Sequence, residues 1–137
     1  GSHACILHWI KNDGDVLNGD LILIDAGVEV ESLYTADVTR CFPINGKFSK
    51  EQREIYELVY EAQRAGIAAV KPGAKFKDIT TVSHKVLAEG LEKLGVLPVP
   101  AEESMKPEVG LHRRWTVHGV SHMLGLDVHD CDGWCSN

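Results

Sequence analysis

Residues 19–44, "GDLILIDAGVEVESLYTADVTRCFPI", constrain the fold more than any other stretch of the chain. Asp25 ends the continuous apolar run "LILID", and Asp37 follows twelve residues later within the strand-like "TADVTR". An ionised carboxylate at the end of a buried strand needs a partner, because removing it from water unpaired is costly. A hairpin turning between the two aspartates brings both carboxylates to the same end of adjacent strands. Like charges that close require a cation or a shared proton. The residues leave a plainer arrangement open, in which Asp25 caps a turn and Asp37 pairs with Arg40.

The flanking sequence supplies more elements. "ACILHWI" is apolar and β-prone, and "KNDGDVLNGD" after it is rich in turn residues. With the hairpin region, this predicts four short strands over roughly the first 45 residues. Ser49 followed by Gln52 is a capping-box pattern. It opens a helix whose apolar positions Ile55, Leu58, Val59, Ala62, Ala65 and Ala69 keep helical spacing to about residue 70. Pro72 stops that helix. Ile79, Val82, Val86, Leu87, Leu91 and Leu94 stripe a second one, and Gly95 suits its C-terminal cap. "PVPAEESMKPEVG" reads as a polar, proline-bearing connection to the histidine-rich segment. Strands, two helices and an irregular tail make an α+β chain.

The chain has 137 residues, enough for one domain, and a net charge of −6. That charge supplies no basic field to hold nucleic acid or an anionic membrane. The apolar runs are too short to span a bilayer. Cys5, Cys41, Cys131 and Cys135 are expected to be free thiols in a reducing, cytoplasmic compartment, because the core looks ample without staples. "GSH" at 1–3 reads as a vector scar or as native sequence.

"HGVSHMLGLDVHD" at 118–130 places His118, His122 and His129 among small and apolar residues. The spacing suggests a zinc-protease helix, but Gly119 stands where the glutamate of that motif belongs. Donors converging from Asp25, Asp37 and one histidine would make a divalent-metal site, with His122 the natural third donor. His3, His84 and His112 read as surface residues.

The residues 19–56 and the histidine segment together resemble the catalytic domain of the Xaa-Pro aminopeptidases (aminopeptidase P) of the pita-bread metallopeptidase superfamily. The likeness runs from about Cys5 to Cys131. Prolidases share the "LG-x-DVHD" ending, but "RRWTVHG" and "FPINGKFSKEQREIY" look closer to aminopeptidase P. The resemblance implies a curved, mainly antiparallel sheet with flanking helices. It also implies two divalent ions, typically manganese with cobalt or zinc as alternatives, that activate a bridging water to attack the peptide bond before proline. Asp25 would bind one ion, Asp37 would bridge both, and His122 would be the histidine ligand. His8, His118 and His129 would line the substrate site, with His118 and His129 hydrogen-bonding the carbonyl and the tetrahedral intermediate. The partner implied is a peptide with proline at its second position, with self-association of the chain left open.

The family's metal site uses two further glutamates from strands beyond the histidine segment, and no glutamate follows Glu108 here. The chain is therefore expected to be one partial catalytic domain that lacks its closing strands and is inactive alone. Three other readings stand beside this one. They are a prolidase, a pita-bread binding module without catalysis, and a structural zinc domain using His122, His129, Cys131 and Cys135.

Overall fold

Val30 to Tyr34 reverse the chain. The Val30 N–H donates to the Tyr34 carbonyl at 3.1 Å and the Leu33 N–H to the Val30 carbonyl at 2.8 Å. Leu33 takes a left-handed φ of 66° at the corner. In this computed structural model, which describes residues 1–131, the turn joins β1 (Leu21–Glu29) to β2 (Thr35–Pro43). The strands pair antiparallel, with Asp25 opposite Thr39 and Gly27 opposite Asp37. Paired residues share a face and alternate residues return to it, so Asp25, Gly27, Asp37 and Thr39 lie on one side of the ribbon. Asp25 is therefore inside its strand, which runs on to Glu29, and the turn-capping arrangement is set aside. Gly27 is required where it stands: a Cβ there would lie 2.1 Å from the Ala36 carbonyl oxygen.

Two strands, not four, form among the described residues. Ser2–Cys5 is a 3-10 turn, and residues 6–20 carry no ladder. Their β-prone composition is not enough, since a strand is stabilised by cross-strand pairs and no strand among the described residues ladders with them. Ile10 is 84% exposed.

The described chain divides into two compact units, Gly1–Arg53 with Met123–Cys131, and Glu54–His122. The hairpin belongs to the first. So does the start of α1 (Lys50–Ala69), where the capping box forms as the sequence predicts. The Gln52 N–H donates to Ser49 Oγ at 3.1 Å and the Ser49 N–H to Gln52 Oε1 at 2.9 Å.

The second unit is helical. α1 ends at Ala69, before Pro72, and α2 spans Phe76–Lys93. Small residues let the two helices approach: a Cβ on Gly66 would lie 2.6 Å from Ser83 Oγ, and one on Gly90 would lie 2.1 Å from Leu58 Cδ1. Ser83 Oγ donates to the Ala62 carbonyl at 3.2 Å, which settles a buried hydroxyl. Beyond α2, Gly95 turns left-handed at φ 69° and the Val96 N–H returns to the Leu91 carbonyl at 2.9 Å, a Schellman closure. That turn folds Leu97 back against Ala88, Leu91 and Ala101, with Leu58, Met105 and Leu111 packed around them. Part of the polar connection is a short helix, α3 (Ala101–Ser104), whose first N–H is taken by Glu92 Oε2 at 2.9 Å.

His84 and His112 are not surface residues. They are 9% and 3% exposed, with ring centroids 5.1 Å apart in an edge-on contact. Ser104 fixes His112: its Oγ accepts the His112 N–H at 2.8 Å, and its carbonyl faces His112 Nδ1 at 3.0 Å. Burial and this exchange of bonds make the pair part of the helical core. His3, also expected at the surface, is half-buried and stacked on Trp9 at 4.1 Å.

Candidate metal centre

β2 carries Asp37 on the same face as Asp25, and Thr39 Oγ1 donates to Asp25 Oδ1 at 2.8 Å. The histidine segment folds as a closed loop. Met123 and Asp130 form an antiparallel bridge in which the Asp130 N–H donates to the Met123 carbonyl at 3.2 Å. Closing the loop there brings its two ends together, so that His122 and His129, each one residue before a bridge partner, become neighbours. The loop is fastened to the hairpin at Thr35. Both the Thr35 N–H, at 2.9 Å, and its Oγ1, at 3.0 Å, donate to the Gly125 carbonyl. Because Asp37 is two residues along the same strand, this attachment sets the loop against the carboxylate.

Asp37, His122 and His129 come together. One donor atom from each lies within 4.8 Å of the others; Asp37 is half-buried and both histidines are exposed. Donors bound about 2.0–2.2 Å from one ion stand at most about 4.4 Å apart, so shifts of a few tenths of an ångström would let the three share a divalent cation. A carboxylate with two imidazoles is a donor set that suits zinc, manganese or cobalt. Asp25, exposed on the same ribbon face, lies outside this three-residue group. The sequence reading joins Asp25, Asp37 and His122 as ligands and gives His129 to the substrate.

Of the other histidines named from the sequence, His8 sits with its ring 5.7 Å from that of His129. His118 is exposed, with Nδ1 2.9 Å from the Gly119 carbonyl. Cys131 is an exposed free thiol, and Cys135, the other cysteine of the zinc-domain reading, lies outside the described residues. Burial pushes the Cys41 thiol above its ordinary pKa, which disfavours the reactive thiolate. Sequence reasoning missed Thr35 and Gly125. A threonine in a strand and a glycine in a loop carry no chemical signal until the loop is seen to dock.

Fold and site together describe an α+β scaffold that carries a candidate metal centre. Residues 1–137 match metallopeptidase family M24, and the chain belongs to that family. It is 58% identical over 131 residues to Xaa-Pro aminopeptidase 1 of Streptomyces coelicolor, covering 96% of this chain and 26% of that protein. It is 42% identical over 130 residues to the Xaa-Pro aminopeptidase of Escherichia coli, covering 95% and 29%. The solved structure of zinc-substituted E. coli aminopeptidase P in complex with product superposes with a TM-score of 0.91 at 41% identity, over 98% of this chain and 30% of that one. Aminopeptidase PepP of Pseudomonas aeruginosa gives 0.87 at 41%, over 98% and 30%. The expected pita-bread, α+β architecture is borne out, and the chain spans about a quarter to a third of the length of these relatives.

Proposed function

We propose that this chain is part of the single catalytic domain of a metal-dependent aminopeptidase that releases the N-terminal residue preceding proline. The observation that carries the reading is the convergence of Asp37, His122 and His129, in a chain 57–58% identical to two Streptomyces Xaa-Pro aminopeptidases. Asp25 and Asp37 would offer carboxylates and His122 an imidazole to two divalent ions, manganese in preference to cobalt or zinc. Ions held there would supply Lewis-acid polarisation of the scissile carbonyl and a lowered pKa for water.

The chain's own residues do the rest. The imidazoles of His118 and His129 are exposed and can donate to the carbonyl oxygen as negative charge develops on it. His8, beside His129, would line the same substrate pocket. The nitrogen released belongs to proline and has no amide N–H, so the site must accept a ring and orient the peptide through other groups. Free thiols among the described residues agree with a cytoplasmic protein. No described helix is long and apolar enough to cross a membrane.

The geometry favours one variation, in which His129 is itself a ligand, because its donor atom stands with those of Asp37 and His122. Equilibrium dialysis against manganese separates the two. His122→Ala loses metal under either. His129→Ala keeps metal and, in the full-length protein, lowers turnover about 10²–10³-fold if it serves the oxyanion; it loses metal if it is a ligand. Cleavage of an Xaa-Pro tripeptide by the full-length protein is the expected activity. Cleavage of Xaa-Pro dipeptides alone would make it a prolidase, and metal binding without hydrolysis a binding module. The 137-residue chain, given excess manganese, is expected to stay inactive.

A further inference from the structure

The Gly125 carbonyl accepts twice from one residue, the Thr35 N–H at 2.9 Å and Thr35 Oγ1 at 3.0 Å. Any strand residue except proline could make the first bond; the second needs a hydroxyl. On the other side of Gly125 there is no space either. A Cβ at Gly125 would lie 1.9 Å from Asp130 Oδ2 and 3.0 Å from its Cγ. The second Asp130 oxygen, Oδ1, accepts the Cys131 N–H at 2.8 Å. The Gly125 N–H donates to the Asp127 carbonyl at 3.1 Å, so the loop turns tightly on that glycine. Gly125 is buried between Thr35 and Asp130, whereas the residues on either side of it are exposed. Its carbonyl is a point at which the loop is held to the strand.

We propose that Thr35 is a positioning residue for the metal centre. It latches the 123–130 loop to the strand that carries Asp37, and so sets His129 in register with the Asp37 carboxylate. The inference rests on the metal-binding reading above, but the latch has its own observable. Asp37 and His129 are tied to the two sides of the Thr35–Gly125 contact by short, defined lengths of chain. Thr35 lies two residues before Asp37, and Gly125 is fixed against Asp130, next to His129. With the hydroxyl bond lost, the Thr35 main-chain bond remains and the loop gains freedom about this contact. The donors then spend less time at bonding separation, and affinity falls while the fold persists.

The test uses the 137-residue chain with Thr35→Val, which keeps the β-branched shape and removes the hydroxyl, and Thr35→Ser, which keeps the hydroxyl. Cobalt(II) is titrated against each, followed by visible absorption. Amide hydrogen exchange is measured at Gly125 and Asp130, together with the thermal midpoint. Thr35→Val is expected to weaken cobalt binding about 3–10-fold, the range one hydrogen bond commonly supports. It should also speed exchange at the Asp130 amide while leaving exchange in α2 unchanged. Thr35→Ser should return both to within about twofold. Unchanged exchange and affinity in Thr35→Val, or no recovery in Thr35→Ser, would overturn the latch. A wild-type chain that binds no cobalt, while Thr35→Val still frees the loop, would sink the metal reading and leave Thr35 as the loop's anchor.

Discussion

In the helical unit, His84 and His112 are buried edge to edge, and a serine hydroxyl and carbonyl hold the second of them. In the hairpin unit, His8 and His129 stand in solvent with their rings 5.7 Å apart, and His129 offers a nitrogen toward Asp37. The residue type is the same and the roles are opposite. A buried imidazole fills volume, and that of His112 meets the Ser104 carbonyl. An exposed imidazole beside a carboxylate can offer a lone pair to a cation or an N–H to a substrate. What separates the two is the surroundings each unit builds. The helices bury a small core, while the two-stranded ribbon leaves Leu23, Ile24, Val28, Val38 and Phe42 exposed.

The same contrast governs the glycines, and it gives the largest expected effect. In Gly27→Ala the new methyl meets a backbone carbonyl oxygen at 2.1 Å, and no rotamer change can move it. In Gly90→Ala the methyl meets Leu58 Cδ1, also at 2.1 Å, but a leucine side chain can swing away. Gly27→Ala should therefore cost more than about 3 kcal/mol and abolish the β1–β2 amide protection. Gly90→Ala should cost about 1–3 kcal/mol, as overpacking commonly does. Urea denaturation with residue-resolved hydrogen exchange measures both. A smaller loss for Gly27→Ala would mean that the ribbon bends as easily as a side chain, and the contrast would break.

Next in size are the histidines themselves. His112→Ala removes a buried ring and leaves the Ser104 carbonyl without its imidazole partner, so a loss of about 2–4 kcal/mol is expected with metal affinity unchanged. His122→Ala removes an exposed side chain, so stability should stay within about 0.5 kcal/mol while bound metal is lost. Thermal unfolding set beside metal content reads the pair. Metal loss in His112→Ala, or a large stability loss in His122→Ala, would show that burial does not divide the roles.

How much of this was legible from the residues alone follows the same line. The capping box of Ser49 and Gln52 and the stop at Pro72 are local chemistry, and both elements form where the pattern puts them. The hairpin was legible because its two apolar runs flank a turn. The opening "ACILHWI" forms no strand despite its composition, because composition cannot say whether a strand will find a partner. The burial of His84 does leave a trace in the sequence. Positions 84, 88 and 91 lie on one helical face, and Ala88 and Leu91 are both core residues. His112 left none, since its partner Ser104 is eight residues away and meets it only through the packing of α3. At the site, the carboxylates and histidines were visible by type. That His129 stands with Asp37 and His122 depends on the Met123–Asp130 closure and the Thr35 latch, which are tertiary.

The smallest effect expected is a pH dependence confined to the helical unit. Burial holds the His84 imidazole below its ordinary pKa, and His112 and Arg113 nearby add to that, because a second positive charge there is unwelcome. The unfolded chain takes up a proton at His84 near pH 6.5, whereas the folded chain does so only at lower pH. Stability is therefore fully present above about pH 6.5 and is lost progressively as the pH falls from there through the folded-state value. One proton limits the slope to about 1.4 kcal/mol per pH unit. Hydrogen exchange at the Ala88 and Leu91 amides, followed from pH 8 to pH 5 after correction for intrinsic rates, should reveal the decline. His84→Gln, which cannot titrate, should flatten it, while β1 and β2 amides keep the same profile in both proteins. An equally steep decline in His84→Gln would assign the proton elsewhere and remove His84 from the buried half of the comparison.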